Sequence, residues 1–391
     1  MGNINDYLAW RGDIPINNRF KFNEIDSMIL SRFSYMRFDK IKMSRVETIE
    51  SVSNKMRVLG NDEFLYNGDK ELITNLGDSD RFKDMIVTDY VKIDDKSNEK
   101  QFGAVTIHIS DKEMYISYLG TDATINGWKE DFNMAFMDNV PCQVSGREYL
   151  EKMCKKYPGK KVRIGGHSKG GNVAIYSAIT TSDDIQNRII KVDNYDGPGL
   201  SKVILNKFCN NKILNKIETF IPQDSIIGRI LYRKEKVTVA SSIEKSILQH
   251  DIYSWQVIKN IMIRSNTTTE NSEDFNKTIS EWLETTTNKQ RKIFFDSLFE
   301  VINSTKANTF RDIKKSLSKN IPVILSGYKG LSEIDKKTIT ENIKLLTSTY
   351  FSVVMKRESS KLSSKKEELS EAYLSKLNSV KKKFKKSKEM E

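Results

Sequence analysis

Between residues 102 and 240, short apolar runs alternate with amphipathic stretches. Residues 102–109 and 114–119 are two such runs around a Ser-Asp-Lys-Glu turn, the pattern of a β-hairpin. Residues 161–165, 189–195, 217–221 and 237–240 predict further strands. A helix over 146–157 is broken by Pro158-Gly159, and another opens after Ser168. Strands alternating with helices predict an α/β chain whose mainly parallel sheet is covered on both faces. Residues 1–60 read as helical, with Ile25, Met28, Ile29, Phe33, Tyr35 and Met36 forming a core-facing stripe. Leu72, Ile73 and Leu76 mark a helix that ends at Gly77.

Beyond residue 256 the strand pattern stops. Phe275, Ile279, Trp282, Leu283, Ile293, Phe294, Leu298 and Ile302 recur at helical spacing. Ser332-Glu333-Ile334-Asp335 resembles a capping box, and Ile339, Ile343, Leu346, Tyr350 and Val354 follow on one helix face. A last amphipathic helix carries Leu369, Tyr373, Leu377, Val380 and Phe384 opposite a lysine face. The expected organisation is an α/β domain over residues 1–260, including the N-terminal helices, and a helical region over 261–391 with a basic amphipathic tail.

Of the formal net charge of +12, half sits in residues 356–391, with 12 Lys+Arg against 6 Asp+Glu. This tail has no aromatic interleaving or nucleic-acid motif, so nucleic acid is not expected as a partner. A membrane surface or a protein partner suits the C-terminal helices better. Cys142, Cys154 and Cys209 form no CxxC and have no neighbouring His, so neither a zinc site nor a disulfide framework is expected. The N-terminus lacks a basic-then-apolar signal pattern, and no run of about 18 apolar residues occurs. A cytoplasmic location is the expectation, with export by a route that cleaves no signal as the alternative.

The chemistry concentrates in Gly166-His167-Ser168-Lys169-Gly170, a G-x-S-x-G sequence between an apolar strand and a helix. In that setting the serine occupies a strained strand-to-helix turn that lifts its hydroxyl off the sheet edge. A Cβ at Gly166 or Gly170 would collide where backbones approach closely. A serine hydroxyl needs a base. Of the three histidines, His167 leaves the turn in another direction and His108 lies inside a strand, which leaves His250. The acid should end a strand between Ser168 and His250. Asp196 and Asp224 both qualify, and Asp224 is favoured because it ends the later strand, the usual place. The oxyanion donors are expected from the Lys169 backbone N–H and from the Gly120-Thr121-Asp122 loop, where the Thr121 hydroxyl could add to the backbone N–H. No metal or organic cofactor is required.

Leu119-Gly120-Thr121 followed by Trp128-Lys129-Glu130-Asp131 resembles the R-G-T and W-x-x-D pattern of class 3 lipases. Gly-His-Ser-Lys-Gly-Gly resembles their elbow, Tyr195-Asp196-Gly197-Pro198-Gly199 their F-G-x-P turn, and Pro222-Gln223-Asp224-Ser225-Ile226-Ile227 their acid segment. The Lys169-Gly170-Gly171-Asn172 version, Gln249-His250-Asp251 and residues 6–13 are more similar to a lipase-related bacterial family of largely unassigned function. The resemblance covers about residues 1–300 and implies an α/β-hydrolase fold and a serine hydrolase acting on acyl esters of lipids. Leu119 stands where those lipases carry arginine, which weakens the transfer of their substrates. Residues 132–137, an apolar segment, suit a lid or acyl pocket as well as they suit core packing. Two other readings remain: a non-catalytic binding module on the same fold, and a lipase effector whose C-terminal helices bind an export or neutralising partner.

Overall fold

The computed structural model describes residues 2–208, 212–309, 312–313 and 316–388. Cys209 lies outside them. The chain begins with α1 (Ile4–Arg11), α2 (Glu24–Phe33), β1 (Val46–Thr48), α3 (Ile49–Met56) and α4 (Asp69–Asp78). Gly77 lies inside α4 and does not terminate it. Next come β2 (Ile86–Asp95), β3 (Lys100–His108), β4 (Glu113–Tyr118), α5 (Ile125–Asn133), α6 (Pro141–Lys156), β5 (Lys161–His167) and α7 (Lys169–Thr180). They lead to α8 (Asp183–Arg188), β6 (Ile189–Tyr195), α9 (Lys202–Lys207), β7 (Ile217–Pro222) and β8 (Lys236–Ala240).

These eight strands form one sheet in sequential order. β1 to β4 pair antiparallel, and β4 to β8 pair parallel. Two buried clusters cover it. One joins α1 to α4 with Tyr115, Phe220 and Trp255. The other joins α6 and α7 with Ile116, Ile164 and Val192. A mostly parallel sheet sandwiched between helices, with a serine elbow after its central strand, is an α/β-hydrolase fold.

The strand β2 is absent from the sequence reading for a physical reason. A bulge between Thr88 and Val91, with Asp89 at φ 56°, inserts one residue into the ladder. Val87 therefore joins the first cluster, while Val91 and Ile93 pack on the second. Such an insertion sends residues of one parity to opposite faces of the sheet, so Val87, Val91 and Ile93 line no single face of the strand. A short hairpin also lies beyond residue 256, β9 (Val257–Ile258) with β10 (Ile261–Met262).

The rest is helical: α10 (Glu270–Thr285), α11 (Asn288–Asn303), α12 (Leu317–Gly330) and α13 (Glu333–Lys388). Ser332 caps α13 by accepting the Asp335 N–H at 3.1 Å. One continuous helix replaces the two expected, and the side chains of Leu369, Tyr373, Leu377, Val380 and Phe384 lie outside the described residues. The buried seam of α13 is also rotated from the expected stripe. Ile339, Asn342, Thr349 and Val353 are buried, whereas Ile343 and Tyr350 are exposed. Polar Asn342 belongs in the seam because its side-chain oxygen accepts the Trp282 indole N–H at 3.0 Å. Among the described residues, no helix is long and apolar enough to cross a membrane.

Candidate active site

Ser168 connects β5 to α7 with φ 57° and ψ −133°, a strained backbone for a residue with a Cβ. The turn closes only because of its glycines. A Cβ on Gly166 would overlap the Gly170 carbonyl carbon, and one on Gly170 would overlap the Tyr118 carbonyl oxygen. The Ser168 N–H donates to Tyr195 O at 2.9 Å, fastening the elbow to β6. Lys169 is the first residue of α7, so its N–H has no partner within that helix.

His250 reaches the elbow from the loop after β8. Its Nδ1 lies 2.6 Å from Asp196 Oδ2. Asp196 is 1% exposed. Its other oxygen accepts the Ser225 hydroxyl at 2.5 Å and the Gly228 N–H at 3.1 Å, which satisfies the carboxylate. It also sits at φ 50°, so two residues in left-handed backbone flank the site. The sequence placed Asp224 beside His250, and the structure corrects this. The Asp224 carboxylate accepts the Ser246 N–H at 3.0 Å and the Thr269 hydroxyl. Its own N–H donates to Gln249 Oε1 at 2.8 Å. Asp224 thus ties down the segment carrying His250 and makes no bond to the imidazole.

His167 is fully buried and turned away from the cavity, as its place in the elbow suggests. Its Nε2–H donates to the His250 carbonyl at 2.7 Å, and its ring lies 4.6 Å from the His250 ring. Burial, with His250 nearby, drives its pKa well below the usual histidine range, so it stays neutral. His108 packs on Tyr157 at the far end of β3, its pKa pushed down to about 4 by burial.

The loop after β4 brings Thr121 to the same cavity as Ser168 and His250. The Thr121 hydroxyl donates to Asp131 Oδ2, so this proton is committed and the backbone N–H is the group left for a ligand. Asp131 belongs to a buried charged cluster that the motif reading leaves unexplained. Lys169, 1% exposed, places its ammonium 3.1 Å from Glu130 Oε2 and 3.7 Å from Asp131 Oδ1. Glu130 also accepts the backbone N–H groups of Gln101 and Cys142, at 2.9 and 2.8 Å. Burial pushes the Asp131 carboxyl up to about 6, although the Lys169 ammonium pulls the other way. The cluster links the strand-4 loop to the first residue of α7.

The cavity beside Ser168 has a volume of about 180 Å³. Trp128, Phe132, Met134, Ile230 and Leu231 line it, together with Ile279, Trp282 and Leu283 of α10 and Phe295 of α11. The segment 132–137 therefore lines the cavity and packs against α11 at once, with the Phe132 and Phe295 rings 4.8 Å apart. A larger polar cleft of about 560 Å³, between Asp94, Lys129, Asp296 and Asn308, is lined by neither Ser168 nor His250.

A sequence model for the family described as Mbeg1-like matches residues 76–300. No curated protein matches the chain. Several similar solved structures are fungal lipases. One is 13% identical, with 64% of this chain and 91% of that one covered and a TM-score of 0.37. Lip2 lipase from Yarrowia lipolytica is 10% identical, with 55% and 93% covered and a TM-score of 0.32. The Rhizomucor miehei lipase–propeptide complex is 15% identical, with 49% and 65% covered and a TM-score of 0.33. The chain spans about two thirds of the length of that lipase and of the lipase in a fungal inhibitor complex, at 65% and 66%.

Proposed function

The chain belongs to the Mbeg1-like family, and from that membership and the geometry around Ser168 we propose that it is a serine hydrolase of carboxylic esters, acting on acyl esters of lipids. The observation that carries the reading is His250 Nδ1 at 2.6 Å from a buried, fully hydrogen-bonded Asp196, on the rim of an apolar cavity that also holds the strained Ser168. A buried carboxylate on Nδ1 fixes the imidazole tautomer with Nε2 unprotonated, which is the form that accepts a serine proton.

In this mechanism Ser168 Oγ attacks the ester carbonyl as His250 Nε2 takes its proton. Asp196 steadies the imidazolium through the Nδ1–H bond. The Lys169 and Thr121 backbone N–H groups receive the oxyanion, a contribution worth about 3 kcal/mol per donor in such sites. The imidazolium then protonates the departing alcohol. Water, deprotonated by His250, releases the acid from Ser168 and restores the enzyme.

A fluorophosphonate probe tests the reading. The full chain is expected to label, with labelling abolished in Ser168→Ala and strongly reduced in His250→Ala. Folded protein that resists labelling, in buffer and in detergent, would show that Ser168 is not activated.

A further inference from the structure

The ester-hydrolase reading leaves open which acyl group the site takes, and the C-terminal helices bear on that. Ile279, Trp282 and Leu283 share one face of α10, and with Phe295 of α11 they form the wall that the C-terminal helices add to the cavity of Ser168 and Thr121. This wall is fastened from three sides. Trp282 donates to Asn342 of α13 at 3.0 Å. Arg357 of α13 pairs with Asp274, while Arg229 pairs with Glu273 at 2.8 Å. The Thr269 N–H donates to Gln223 O at 2.8 Å, and the Ser272 hydroxyl to Ser225 O at 2.6 Å, so the start of α10 is bolted to the loop after β7. A helix held along its length in this way is a fixed wall.

Resting on the proposed ester hydrolysis, we propose that this wall restricts the substrates to esters of short and medium acyl chains, with α10 setting the limit. An apolar cavity of about 150 Å³ takes up one benzene, so a cavity of about 180 Å³ holds about six carbons. Apart from the polar groups of the site itself and two tyrosines, Tyr35 and Tyr66, its lining is apolar, so it suits a hydrocarbon and offers a polar head group no charged partner beyond the site's own. A longer chain must separate α10 and α11 from α5 and re-expose Trp282, Leu283 and Phe295, which are buried together in one cluster. Discrimination in such a pocket typically reaches tenfold or more per misfitting methylene.

The test is a series of p-nitrophenyl esters from two to sixteen carbons, each below its micelle threshold, with active enzyme counted by fluorophosphonate titration. The expected kcat/KM peaks at about four to eight carbons and falls at least tenfold by twelve. Ile279→Ala, which removes methylenes from the wall, shifts the peak to longer chains, and Ala135→Leu shifts it to shorter ones. A second series varies the alcohol over fixed acetate and is expected to be flat. Protein that labels with the probe but prefers twelve to sixteen carbons, keeps its profile in Ile279→Ala, or selects on the alcohol would overturn the inference and leave the hydrolase standing. Failure to label removes the hydrolase reading itself, and this inference with it.

Discussion

Replacing Lys169 by Met keeps the four-atom apolar stem of the side chain and deletes its ammonium. Lys169 and Glu130 are both buried, and the ammonium is the only cation paired with Glu130 or Asp131 among the described residues. The variant therefore leaves two adjacent carboxylates uncompensated. Removing one partner of a buried ion pair costs about 3–5 kcal/mol. The cost depends on pH in a defined direction. Asp131 already sits at about 6 through burial, and loss of the ammonium raises it further. A carboxyl with a raised folded-state pKa contributes stability that is complete below its unfolded value near 4 and is lost as pH rises through the folded value. Wild type and Lys169→Met should accordingly be closest in stability near pH 5 and diverge as pH rises past 6. Urea denaturation at pH 5 and pH 8 measures both gaps. With a neutral Asp131, the charge-assisted bond from Thr121 also weakens, so kcat at pH 7 is expected to fall more than stability alone explains. Lys169→Arg should recover part of both. A gap under about 1 kcal/mol that does not change with pH would refute the buried cluster.

Two further substitutions probe the scaffold. Asp69 accepts two bonds from Arg32, at 2.7 Å each, and one from Tyr253 at 2.8 Å, all in the core. Asp69→Asn strands a buried guanidinium and is expected to cost about 3–5 kcal/mol by urea denaturation; a loss below 1 would contradict that pairing. Asp193 is pushed up to about 6 by burial, with Ser27 donating to one oxygen at 2.6 Å. Its contribution is present below about pH 4 and lost above 6, so Asp193→Asn should stabilise the protein by up to about 3 kcal/mol at pH 7 and by nothing at pH 4.

The strands flanking the elbow and the helices α10 and α11 were legible because their apolar residues keep one period, whereas α12 was not read and the buried seam of α13 differs from the apolar stripe. β2 was not, since its bulge changes the inward face halfway. The candidate base was legible for another reason. With three histidines in the chain, each could be weighed against its local pattern, and His250 alone sits in a loop after a later strand. The Lys169 cluster left only half a trace. Trp128-Lys129-Glu130-Asp131 stands out as a motif, but nothing in the sequence says that Glu130 and Asp131 face the side chain of residue 169, because that contact crosses between two helices, α5 and α7, far apart in the chain. The α10 wall of the cavity was equally hidden, since Ile279, Trp282 and Leu283 look like any core stripe until the neighbour across from them is known.

The carboxylate beside His250 shows most clearly where order along the chain misleads. Both aspartates end a parallel strand after the elbow, so chain order cannot separate them. Sheet order can. β6 lies directly beside β5, with His167 paired to Tyr195, so residue 196 emerges next to residue 168. β7 is one strand further out, which adds roughly 4.8 Å, and Asp224 would have to span that extra gap. Gly197-Pro198-Gly199, read as a structural turn, follows Asp196 directly, and Asp196 itself adopts the left-handed backbone that turns its carboxylate onto His250. If this geometry governs the chemistry, Asp196→Asn should lower kcat on the order of 10⁴-fold while the protein stays folded, because an amide selects the wrong imidazole tautomer. Asp224→Asn keeps one oxygen to accept the Ser246 N–H and turns its amide NH2 to donate to the Thr269 hydroxyl, and should lower kcat by about tenfold or less, through a loosened His250 segment. Kinetics of the two variants on one soluble ester decide between them. A collapse in Asp224→Asn with Asp196→Asn near wild type would mean that the acid works from the outer strand and that the Asp196–His250 bond is not the catalytic one.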